Sequence, residues 1–132
     1  MLCYSATHAV TFALSAGNDH DALPGRELLA RSGQLKRKLY LLMDRAYEGD
    51  QTRQLALNLG DEPVVPPKAN RLEPWEYDKQ LYRRRNEVER LFCRLKAFRR
   101  IFSRFDKLDV VFCGFIYFAL IFEILRFCVN TP

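Results

Sequence analysis

A chain of 132 residues is long enough for one domain and too short for two comfortable ones. With 48% hydrophobic and 28% charged residues it has globular composition, which excludes disordered and collagen-like classes. The net charge of +5 is uneven: from Lys79 to Arg104 ten basic residues meet only Glu87 and Glu89, so this stretch carries +8 and the rest of the chain −3. A field of that size attracts polyanions. Nucleic acid is the leading partner, with an anionic membrane surface as competitor. Cys3, Cys93, Cys113 and Cys128 include no CxxC pair, so isolated thiols in a reducing compartment are expected rather than a disulfide framework or a zinc site. Met1–Ser5 has no basic lead into an apolar stretch, so no secretory signal is read there and a cytoplasmic protein is expected.

In chain order, His8–Ala16 is rich in strand formers and ends at a Gly17–Asn18 turn. Asn18 or Asp19 can cap a helix from about Asp21 to Ser32, with Leu23, Leu28 and Leu29 as its apolar face and Pro24 in its first turn. Leu39–Met43 is a continuous apolar run that fits a strand buried on both faces, closed by Asp44. A short loop, Arg45–Gly49, leads to a helix from about Asp50 to Leu59, where Gly60 is a natural stop. Glu62–Val65 reads as a strand halted by Pro66–Pro67, and Lys68–Trp75 as a loop. A long helix is predicted from Glu76 to about Phe102 and a last, apolar one over Leu108–Phe127. The thirteen apolar residues Val110–Phe122 fall short of the ~20 that a membrane-spanning helix needs, so a core helix is expected and no membrane partner. Alternating strands and helices predict an α/β domain with helices against a sheet.

On the long helix each residue advances by about 100°. Tyr82, Arg85, Glu89 and Lys96 then share one stripe about 60° wide. Leu81, Val88, Leu91, Phe92 and Leu95 fill the neighbouring sector and should pack on the sheet, while Arg83, Arg90 and Arg94 point away from it. A carboxylate among such cations is either an ion-pair stripe that orients the helix or a metal carboxylate flanked by phosphate-gripping groups. Spacing leaves both readings open.

The series Tyr82, Arg85, Glu89, Lys96 resembles the Y-R-E-K signature of bacterial insertion-sequence DDE transposases. RRRNEVERLFCRLKAFRRI (83–101) looks like that family's acidic-residue helix, and LLMDRAYEGD (41–50) is similar to its second-aspartate strand. LSAGNDHD (14–21) resembles the turn that precedes that strand, and the likeness runs in family order over about residues 8–128. It implies an RNase H-like fold, a mixed sheet with flanking helices. It also implies that Asp44 and Glu89 are catalytic, metal-binding carboxylates for a pair of Mg²⁺ or Mn²⁺ ions. Arg85 and Lys96 would contact DNA phosphates with Tyr82 in support, and Arg83, Arg84, Arg90 and Arg94 would add to the DNA-binding surface. DNA is the implied partner, with a dimer in the complete protein.

The family's first aspartate lies on the first strand, but residues 1–16 contain neither aspartate nor glutamate. The fold is therefore expected to be N-terminally truncated, a partial catalytic domain over 1–132 that does not cut DNA efficiently alone. Either the chain is a decayed copy or it partners the product of an upstream reading frame. Two further readings are an inactive DNA-binding remnant and a small basic membrane-associated protein.

Other candidates read as structural. Asn18–Asp21 could ligate a metal but fits a helix cap better. Glu48 and Asp50 suit the start of a helix, and His8 a strand surface. Trp75 and Tyr77 anchor their loop or stack on a base, with packing favoured. Phe112, Phe115, Tyr117, Phe118 and Phe122 are expected in the core.

Overall fold

Strand formers near the start of the chain pair with one another, β1 (Leu2–Cys3) and β2 (Ala9–Thr11) making a two-stranded sheet. The computed structural model describes residues 1–3, 5, 8–15, 20, 22–33, 38–104 and 106–130. The Gly17–Asn18 turn and the Asn18 or Asp19 cap lie outside the described residues, as does all of the Asn18–Asp21 cluster except His20. Two compact units follow: one is Met1 with Thr11–Arg85, the other Leu2–Val10 with Asn86–Pro132.

In the first unit, α1 (Ala22–Ser32) buries Leu28 and Leu29 and carries Pro24 in its first turn. The apolar run that follows gives β3 (Tyr40–Leu42), and a 3-10 turn over Arg45–Tyr47 leads into α2 (Asp50–Asn58). Gly60 ends α2 with φ 86°, a left-handed backbone that costs a side-chain-bearing residue energy. Asp61 N–H donates to Ala56 O at 3.0 Å and Gly60 N–H to Leu57 O at 3.0 Å, satisfying carbonyls the helix would otherwise orphan. The chain then returns as β4 (Glu62–Val64), parallel to β3 in the register Tyr40↔Glu62, Leu41↔Pro63 and Leu42↔Val64. Pro63 fits because Glu62 N–H and Val64 O make the bonds to β3, so the missing N–H of Pro63 falls on the opposite side. Met43, Ala56, Val64 and Val65 are buried here, and Gly25 lets the Tyr47 ring come close against α1.

The predicted α/β alternation holds in this strand–helix–strand crossover. A single three-stranded sheet does not form among the described residues, because β2 pairs with β1 rather than with β3. The predicted His8–Ala16 strand shrinks to Ala9–Thr11.

The continuous helix expected over Glu76–Phe102 is a correction, since it is broken into pieces. Asp78 caps α3 (Lys79–Tyr82), a 3-10 turn takes Arg83–Arg85, and then come α4 (Asn86–Lys96) and α5 (Arg99–Ser103). The α4 end tightens into three-residue turns, Ala97 N–H donating to Arg94 O and Phe98 N–H to Leu95 O, both at 3.1 Å. Arg104 leaves α5 in the left-handed region, φ 41°.

In the second unit, α4 and α5 pack against α6 (Asp109–Asn130). Leu91 and Leu95 are buried as expected, with Leu81 and Val88 half-buried, but Phe92 is exposed and in this unit the α4 face meets α6 rather than a sheet. Phe98 meets Phe115 and Phe122 edge-on at 6.4 and 5.9 Å. The core expectation for the last helix holds for Phe112 and in part for Phe115, whereas Tyr117, Phe118 and Phe122 are exposed. Asp109–Val129, with mean hydropathy 2.1, is long and apolar enough to cross a membrane and only 28% buried. His8 is half-buried rather than a surface residue, bonded through Nδ1 to Ser5 Oγ at 3.0 Å and edge-on to Phe127.

Candidate metal and DNA-binding site

Asp44 stands two residues beyond the end of β3, where the chain turns into the 3-10 segment. Its backbone is extended and its Oδ1 accepts the Arg45 N–H at 2.6 Å, which fixes the carboxylate as the cap of that turn. The side chain is 59% exposed, and its Oδ2 lies 3.8 Å from Arg85 Nη1. Arg85 is half-buried, with its guanidinium 5.8 Å from the Tyr82 ring centroid. Tyr82 in turn meets Tyr77 edge-on at 5.6 Å. Burial pushes the Tyr82 hydroxyl above its ordinary pKa, Arg85 opposes that shift, and Asp44 adds to it. The first unit thus gathers Asp44, Arg85 and Tyr82 into one cluster.

Glu89 belongs to the second unit. It is exposed in the first turn of α4, where a carboxylate suits the positive helix end. With Asn86, Arg90, Cys93 and Arg94 it lines an open concavity of about 480 Å³. Arg90 pairs with Glu87 at 3.3 Å. Arg83, Arg84, Arg90, Arg94 and Lys96 are all exposed, as anion-binding groups must be. The stripe drawn through Tyr82, Arg85, Glu89 and Lys96 assumed one uninterrupted α-helix. The 3-10 turn at Arg83–Arg85 removes that assumption.

Asp44 and Glu89 offer carboxylate oxygens, the donors that hard cations such as Mg²⁺ or Mn²⁺ prefer. Among the described residues no group of three or more His, Cys, Asp or Glu is placed to hold a metal ion. The donor chemistry fits the ion, and the ligand set gathered on these residues is incomplete.

One cluster was not foreseen as such. Glu48, read as a helix-start acid, is only 6% exposed and pairs with Arg71 at 3.1 Å and Lys68 at 3.4 Å. Arg71 also bonds Asp50. Two guanidiniums lie over Trp75, Arg53 at 3.6 Å and Arg71 at 4.6 Å from its ring centroid, and its Nε1–H donates to Val65 O at 2.9 Å. Packing therefore accounts for Trp75. The usable signal was a lone Trp in a Pro-containing loop with Arg71 close by, since a buried indole N–H needs an acceptor.

Residues 2–122 match the protein family described as Transposase DDE domain, which is most of the chain. The chain belongs to the DDE transposase family. A protein of Brucella ovis named as a transposase for insertion sequence element IS6501 is 32% identical over 81 residues, covering 61% of this chain and 62% of that protein. The chain thus matches less than two thirds of its relative's length. No solved structure matches it at a comparable level.

Proposed function

We propose that this chain supplies two of the three metal-binding carboxylates, Asp44 and Glu89, for DNA cleavage and strand transfer in a complete insertion-sequence transposase. The observation that carries the reading is Asp44: an exposed carboxylate at the end of a strand in a parallel pair, beside Arg85 and Tyr82. The β3–α2–β4 crossover followed by helices is consistent with part of an RNase H-like sheet. Asp44 and Glu89 would hold divalent ions, which when bound would supply activation of the attacking oxygen and charge stabilisation at the leaving oxygen of a phosphodiester. The protein's own part is positioning. Arg83, Arg84, Arg90, Arg94 and Lys96 hold the phosphate backbone, and Tyr82 supports Arg85 where it can meet a phosphate.

Residues 1–16 contain no acidic residue, so the resemblance places no third carboxylate on the strand where the family carries it. That absence favours a second reading for the chain alone, a DNA-binding remnant without cleavage. The test is a reconstituted transposase assayed with Mg²⁺. Asp44→Asn and Glu89→Gln should each abolish cleavage without loss of DNA binding, and full activity in either would sink the assignment. For the isolated chain, Arg85→Ala should weaken binding and lower the slope of log affinity against log salt by about one.

A further inference from the structure

The two oxygens of Asp44 are differently engaged. Oδ1 is committed to the Arg45 N–H at 2.6 Å, and Oδ2 faces Arg85 Nη1 at 3.8 Å. A cation approaching this carboxylate therefore arrives at the oxygen where Arg85 already stands. At 3.8 Å with Asp44 largely exposed, the pair sits at the loose end of the ion-pair range and is readily exchanged. A phosphodiester offers the guanidinium two parallel hydrogen bonds, a stronger partner than one distant carboxylate oxygen. We propose that Arg85 is a resident counter-ion of Asp44 that a DNA phosphate draws off, so that DNA binding opens Asp44 to a divalent cation.

This rests on the metal role assigned to Asp44 above. It gives Arg85 two anionic partners that compete for it, and it couples the two sites. Linkage makes the coupling reciprocal: whatever relieves Asp44 of Arg85 strengthens the hold of Arg85 on DNA. The Tyr82 ring, anchored on Tyr77, keeps the guanidinium near both partners.

Two measurements test it. In the first, Mn²⁺ is titrated into the isotope-labelled chain without DNA, and broadening of the Arg45 amide signal reports cation at Asp44. Arg85→Gln should lower the Mn²⁺ concentration for half-broadening about threefold, whereas Arg84→Gln, which removes the same charge next door, should shift it less. In the second, a short fluorescent DNA duplex is titrated in EDTA. Asp44→Asn should tighten DNA binding about threefold, and that gain should vanish in an Arg85→Gln background. An Asp44-dependent broadening that Arg85→Gln moves no more than Arg84→Gln, or an equal gain from Asp44→Asn in both backgrounds, overturns the coupling and leaves the metal role standing. Broadening indifferent to Asp44→Asn overturns the metal role together with the coupling.

Discussion

The two units reach stability by different means. In the unit of Thr11–Arg85, a parallel strand pair and its crossover helix bury a small aliphatic core, and charged groups close its edge. Glu48 is buried against Arg71 and Lys68, and the Arg53 and Arg71 guanidiniums lie over the Trp75 ring. The unit of Leu2–Val10 and Asn86–Pro132 relies on apolar helix packing, Leu91 and Leu95 against one face of α6. The opposite face of α6 stays apolar and exposed, with Val110 at 84%, Phe118 at 57% and Ile121 at 56%. A unit that is short of apolar residues to bury specifies its shape with directional contacts. A unit rich in them buries one face and leaves another in contact with solvent.

Core truncation probes the apolar unit most severely. Leu91 is fully buried, so Leu91→Ala should cost about 2–5 kcal/mol in chemical denaturation. Hydrogen exchange should show the amides of α4 and α6 losing protection before those of β3 and β4. Loss of both sets together would mean that the units unfold as one. The matching cut in the polar unit is Arg71→Ala, which removes one of the two cations paired with Glu48 and one of the two guanidiniums over Trp75. About 3 kcal/mol should be lost, with a red-shifted Trp75 fluorescence, and a neutral result would show that the network orders the loop without stabilising it.

Gly25→Ala should destabilise the same unit by about 2 kcal/mol, although alanine favours a helix, because the added methyl meets the Tyr47 ring. An unchanged melting temperature would mean that the ring swings aside. Asp78→Ala removes a cap whose Oδ1 accepts Gln80 N–H at 2.8 Å and Leu81 N–H at 2.9 Å, and should cost about 1 kcal/mol. The mildest probe is chemical. Burial pushes the Cys3 thiol up to about 11, so near pH 8 iodoacetamide should label exposed Cys93 and Cys128 well before Cys3. Labelling of Cys3 should rise only as the pH approaches that value, because the thiolate is the nucleophile.

Elements governed by short-range rules were legible in the sequence. The apolar run Leu39–Met43, the Gly60 stop and the crossover between the two strands follow from local pattern, and they appear where expected within a residue or two. The expected local settings also appear, Asp44 just beyond its strand and Glu89 exposed on a helix. The interruptions at Arg83–Arg85 and Ala97–Phe98 were not visible, because no proline or glycine marks them. Arginine and alanine there would continue a helix, and phenylalanine does not forbid it, so the breaks arise from tertiary packing that overrides propensity. Glu48 misled for a related reason. Its place near a helix start fits an exposed acid, and its burial depends on Arg71, a partner 23 residues away. The exposed aromatics of α6 show the limit of hydropathy, which marks residues that avoid water without saying which face finds cover.

Pro63 carries a consequence for how the sheet can grow. Lacking an N–H on the side turned away from β3, β4 cannot complete a hydrogen-bond ladder there, and the sheet has a built-in terminus at that flank. Any incoming strand must be accommodated on the other flank, alongside β3. Asp44 stands two residues past the end of β3, so a strand that enlarged this sheet on that flank would run beside the aspartate.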